Sequence, residues 1–173
     1  MPHRFVFIYP AKNMKQFFMF IIFALVVAGC NESKRCEKEI YLIPPAFRGE
    51  LIVFFDQPDG EEIQYEDDAR VYNIPPSGYL KTKFPKNGGC MNDDRIHFFY
   101  QDSLGVREPC EYFLNLHKDS IPTDRDYVLF TFFSNKESKP EFVIHFVGHV
   151  AEFNQLTQGV NQLNLKEILE SLE

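Results

Sequence analysis

His145 and His149 stand four residues apart, a spacing that on a helix would turn both imidazoles toward one metal ion. The run that carries them, Phe142-Val143-Ile144-His145-Phe146-Val147, instead reads as a strand that Gly148 ends. At about 3.3 Å per residue the two rings would then lie too far apart to share a metal, even with His97 or Glu152 recruited. No metal site and no cofactor are therefore assigned, and His145 is expected on a partly exposed strand face beside Glu141 and Val143. Asp56, Asp59, Glu61 and Glu62 surround Gly60 with the oxygen ligands that calcium takes, but the alternating ligands and terminal glutamate of an EF-hand loop are missing. Asp59-Gly60 reads as a hairpin turn. Ser77 and Ser103 lack a Gly-x-Ser-x-Gly elbow and read as turn residues. Phe47 and Tyr79, near the Pro-Pro turns, fit either a partner-binding patch or the core.

The cysteines carry the remaining chemistry. Lys15 precedes 13 uncharged, mostly apolar residues (17–29) and then Cys30, the pattern of a secretory signal. That run is too short for a spanning helix, which needs roughly 20 residues. Val27-Ala28-Gly29-Cys30 resembles the lipobox of bacterial lipoproteins. The resemblance implies a thioether-linked diacylglycerol on Cys30, removal of residues 1–29 and acylation, as by palmitate, of the new amino terminus. Two or three acyl chains meet the requirement for stable membrane residence. Translation from Met14 would give a signal of ordinary length, with 1–13 a mis-called start. With Cys30 committed to lipid, an odd set remains: Cys36, Cys90 and Cys110. A Cys90–Cys110 disulfide is expected, closing a loop of about 20 residues for roughly 3 kcal/mol, with Cys36 a spare thiol. None is coupled to a histidine base by a local motif.

Residues 30–38 read as a lipidated polar tether and 39–173 as a single domain. Without residues 1–29 the chain keeps 15 basic against 25 acidic residues, a balance of −10. Nucleic acid is excluded as a partner, because clustered Lys and Arg are absent. Short β-prone runs at 40–43, 51–55, 63–65, 70–74, 95–101 and 110–116 are punctuated by Pro and Gly. The period of two over 78–84 places Leu80, Thr82 and Phe84 on one side of a half-exposed strand. Residues 127–133 have almost no polar side and suit a central strand covered on both faces, paired with 141–147. Leu165, Ile168, Leu169 and Leu172 then mark a short helix, with Asn164 as N-cap and Glu167 as its capping-box partner. The expected fold is mainly β: a sandwich or open barrel of about 7–9 short antiparallel strands with a short C-terminal helix.

Ile43-Pro44 before Gly49, Val71-Tyr72-Asn73-Ile74-Pro75 with Gly78-Tyr79-Leu80-Lys81-Thr82, Phe98-Phe99-Tyr100 before Gly105-x-Arg107, and Phe146-Val147-Gly148 before Glu152-Phe153 are similar to a family of bacterial lipoprotein domains of unassigned function. The similarity covers about residues 40–156. One departure is Pro45-Ala46, where an acidic residue and glycine are more usual, which bears on the first turn. The resemblance implies a small β-rich surface domain and supplies no catalytic residues. The residues favour a membrane-anchored, non-catalytic binding or structural module of the cell envelope, held by acylated Cys30 and meeting an envelope protein or glycan. In a two-membrane host, Asn31 after the cysteine points to the outer membrane. The competing expectation is an envelope hydrolase or metal-dependent enzyme using His97, His145 and His149.

Overall fold

The longest apolar runs form the centre of the molecule. All seven residues of Phe142–Gly148 are buried, which a strand can achieve only when both of its faces are covered. In the computed structural model, residues 36–88, 93–114, 121, 123–134, 139–153 and 163–172 are described, with the side chains of Asp93, Phe130 and Thr131 excepted. The signal segment, Cys30 and Cys90 lie outside the described residues. The strands are β1 (Lys38–Ile43), β2 (Gly49–Phe54), β3 (Tyr65–Glu66), β4 (Ala69–Asn73), β5 (Tyr79–Lys81), β6 (Ile96–Gln101), β7 (Arg107–Cys110), β8 (Tyr112–Phe113), β9 (Tyr127–Phe133) and β10 (Phe142–Gly148), followed by helix α1 (Leu165–Glu170).

Two five-stranded sheets result, sheet A in the order β3-β4-β1-β6-β7 and sheet B in the order β5-β2-β10-β9-β8. They do not close into a barrel, so the mainly β sandwich expected from the sequence is the fold. The expectation of wholly antiparallel strands is corrected: β1 pairs in parallel with both β4 and β6, β2 with β5, and β8 with β9. Burial alternation tells which face a residue occupies but carries no information on strand direction. As expected, β10 pairs antiparallel with β9, and also with β2.

Between the sheets lie Tyr41, Ile43, Tyr72 and Phe98 from sheet A, against Leu51, Val53, Val128, Val143 and Val147 from sheet B. The other face of sheet B is covered as well. Ile52, Phe54, Phe142 and Ile144 meet Leu165, Ile168, Leu169 and Leu172 of the C-terminal segment, and Tyr127, Leu129 and Phe146 meet Phe153 of the helical turn at 150–153. Helix α1 is capped as its sequence predicts: Asn164 Oδ1 accepts from the Glu167 backbone N–H at 3.3 Å. Glu167 returns a contact by accepting from Asn164 Nδ2 rather than from the cap's backbone.

The turns depart from expectation in instructive ways. Residues 56–62 make no hairpin with β2 but run beside 81–84, with Gln57 N–H donating to Thr82 O and Glu61 N–H to Lys81 O. A Cβ at Gly60 would meet the Thr82 backbone nitrogen at 2.6 Å, so the glycine serves close approach rather than a hairpin. The tight hairpin is β3–β4, whose two loop residues, Asp67 and Asp68, both have positive φ, the conformation of a type I′ turn. The unusual Pro45-Ala46 forms a turn closed by Phe47 N–H donating to Pro44 O, with Ala46 at φ 58°, where glycine would be unstrained.

Candidate functional site

Cys36 and Glu37 were expected in a free tether, yet they are built into the fold. Arg95 donates to the Cys36 carbonyl at 2.7 Å. Glu37 N–H donates to Asn87 Oδ1 at 3.2 Å, and Asn87 Nδ2 donates back to the Glu37 carbonyl at 2.8 Å. The expected cysteine pairing is also corrected. Cys110 is a free, buried thiol and Cys36 is disulfide-bonded; Cys30 and Cys90, the remaining cysteines, lie outside the described residues. Cys110 faces the core at the end of β7, where burial pushes its thiol up to about 11 and so keeps it from acting as a thiolate at neutral pH.

His97, His145 and His149 do not converge. His97 is exposed on the face of β6 opposite Phe98. His149 follows β10, its Nε2 2.7 Å from Thr123 O. His145 is buried between the sheets, edge-on to Tyr41, Phe98 and Tyr112 at 5.2, 5.1 and 5.8 Å between ring centres. Its expected exposure was wrong because Glu141 precedes β10, so the face is set by Val143 and Val147, which turn toward sheet A. Burial lowers the imidazole to about 3, holding it neutral. Among the described residues, no three His, Cys, Asp or Glu side chains are grouped to hold a metal. The acidic run near Gly60 is taken by lysines, Asp59 by Lys81 and Glu62 by Lys83. Phe47 and Tyr79 pack against the two sides of sheet B and form no free patch.

One buried polar constellation does assemble, at the start of β1. Glu39 is 5% exposed on the inner face. It accepts from Tyr41 Oη at 3.1 Å, Tyr72 Oη at 3.3 Å and Asn87 Nδ2 at 3.1 Å. Arg70, buried beside it with its guanidinium 4.9 Å over the Phe84 ring, bonds Glu37 and the Pro85 carbonyl. Burial raises the Glu39 carboxyl, against the lowering effect of its three donors and of Arg70. Burial likewise drives both phenols well above their usual range. The cluster gathers proton-holding groups, but Tyr41 and Tyr72 are each 1% exposed and enclose the carboxyl. In this arrangement it fixes the start of the domain to β4 and to the 85–87 loop. The sequence reading passed over it. The available signal was Glu39-x-Tyr41, whose spacing of two puts both residues on one strand face.

A shallow cleft between β6 and β7–β8 is lined by His97, Phe99, Pro109, Glu111 and Tyr112 among others. At the far end of the sandwich Arg48 joins Asp126 at 2.9 Å and Glu152 at 3.3 Å. Neither arrangement presents an activated nucleophile.

No curated protein matches the chain. A solved structure that it resembles is the crystal structure of a "putative lipoprotein from Bacillus anthracis", at 18% identity and a TM-score of 0.46, over 65% of this chain and 68% of that one. A family model described as a family of unknown function matches residues 35–142, from the residue before Cys36 through all of β9. An uncharacterised lipoprotein family with a β-rich domain is what the sequence resemblance led us to expect. The chain belongs to the family of unknown function DUF6843.

Proposed function

We propose that the protein is a lipid-anchored module of the bacterial cell envelope, exported by its amino-terminal signal and held by acylated Cys30, whose β-sandwich binds an envelope protein or glycan without catalysing a reaction. The observation that carries the reading is the Val27-Ala28-Gly29-Cys30 pattern behind a basic residue and 13 uncharged residues. It is supported by where the fold begins. Six residues after Cys30, Cys36 and Glu37 are already pinned by Arg95 and Asn87, so only five residues lie between the lipidated cysteine and the fold's first anchored residue. Among the described residues no helix is long and apolar enough to cross a membrane, and the lipid supplies the anchor. In a two-membrane host, Asn31 after the cysteine directs the protein to the outer membrane. The binding role rests on the dispersal of His97, His145 and His149, which leaves the competing hydrolase without a shared site. Metabolic labelling with a fatty-acid analogue tests the anchor: the wild type takes up label and the Cys30→Ala variant takes up none. Equal labelling of the two, or none in the wild type, overturns the reading.

A further inference from the structure

Exposed apolar side chains occur at both ends of the sandwich, and one of those ends carries Cys36, to which the tether is joined. Phe132 and Phe133, at the close of β9, are 51% and 43% exposed. Lys86 ties this strand end to the beginning of the domain: its ammonium bonds the Ser134 carbonyl and sits 4.8 Å over the Phe133 ring. The next residue, Asn87, holds Glu37 through both backbone groups. Phe133 is thus two short links from Cys36. Ile63 and Tyr65 are exposed around β3, and a further pair, Leu104 at 87% and Val106 at 59%, lies beyond the end of β6. Since β6 runs parallel to β1 with Tyr100 opposite Ile43, that loop is at the far end of sheet A from Lys38, about 20 Å along the strand.

We propose that the strand end bearing Phe132 and Phe133 rests on the surface of the lipid bilayer that holds Cys30. The proposal depends on the lipid-anchor reading and goes beyond it by assigning the domain's orientation. The tether decides the occupant. Five residues lie between Cys30 and Cys36, six steps of chain with a reach of at most about 20 Å, so the tether end of the sandwich cannot leave the neighbourhood of the headgroups. Two half-exposed phenyl rings at that end, one on each face of β9, match the apolar side chains that enter the headgroup and acyl boundary. Lys38 and Lys139, both exposed, lie at the same end, as do Glu37, Asp94 and Glu141. The charge there is mixed, and the phenyl rings rather than net charge make the contact.

The chain contains no tryptophan, so a single introduced indole reports its own surroundings. The full lipidated protein, as Phe133→Trp, Phe132→Trp or Leu104→Trp, is reconstituted into phosphatidylcholine vesicles with or without brominated acyl chains. Bromolipid is expected to quench the indole at 133 or 132 at least twofold more than at 104. Equal quenching at all three positions in protein that floats with the vesicles overturns the proposal while leaving the anchor intact. So does a blue shift at 133 that grows with protein concentration and ignores bromolipid, which would mean a second copy covers the rings. Failure of every variant to float removes the anchor and this proposal together. Should Phe133→Trp melt early, Phe132→Trp carries the test.

Discussion

Among the described residues, sheet B is covered on both faces and sheet A on one. On β10 the residues facing sheet A (Val143, His145, Val147) and those on the other face (Phe142 and Ile144 against the C-terminal segment, Phe146 against Phe153) are buried alike. On β6, Ile96 and Phe98 are buried while His97 is exposed and Phe99 half-buried. Sheet A makes up with polar contacts what it lacks in cover. Glu39 gathers its donors at one end, and Arg107 forks onto Glu66 at 2.7 and 2.9 Å, joining its two edge strands β7 and β3. The difference shows where stability is concentrated: in sheet B it comes from apolar area, and at the margins of sheet A from exposed ion pairs that contribute little each.

The largest expected effect concerns the one titratable group on the inner face of β10. His145 is lowered to about 3 when folded, against about 6.5 when unfolded. A depressed folded pKa gives stability that is whole above 6.5 and is lost as pH falls toward 3. About 3.5 pH units correspond to roughly 5 kcal/mol as an upper estimate. Urea melts at pH 7, 5 and 4 should show steep acid loss in the wild type and a shallower loss in His145→Leu. Parallel pH curves would mean that His145 does not govern acid stability. Glu39, raised by burial, runs the other way, favouring the fold as pH drops toward its unfolded value.

Next in size is a matched pair of truncations. Phe146→Ala, at 2% exposure in sheet B, should cost about 3 to 5 kcal/mol, and Phe99→Ala, half-buried on sheet A, less than about 2 kcal/mol. Denaturant midpoints decide it, and equal costs would erase the contrast between the sheets. The smallest effect is a gain: Ala46→Gly relieves a left-handed alanine and should raise stability by about 0.5 to 1 kcal/mol. A lowered thermal midpoint would show that the turn is not strained.

What could be read from the sequence follows the same division. β10 was legible because cover on both faces leaves an unbroken apolar run, β9 because its run is almost wholly apolar although Phe132 and Phe133 end it half-exposed, and α1 because Asn164, Glu167 and four aliphatics agree. The alternation over 78–84 also holds, with Leu80, Thr82 and Phe84 at 3%, 2% and 1% exposure. Strand partners were not legible, since β1 could satisfy its pattern beside any neighbour. Nor was the Cys36 disulfide, since spacing alone does not choose among the possible pairings of the four cysteines. The Glu39 cluster escaped because Tyr72 and Asn87 reach it from 33 and 48 residues away.

The central claim, a domain tethered by lipid at Cys30, is met most directly by the mass of the amino-terminal peptide of the mature protein isolated from membranes. The expected peptide begins at Cys30 and carries a diacylglyceryl group on its sulfur, with or without a further acyl chain on its amine. A peptide that retains residues before Cys30, or that begins at Cys30 with an unmodified thiol, would contradict it.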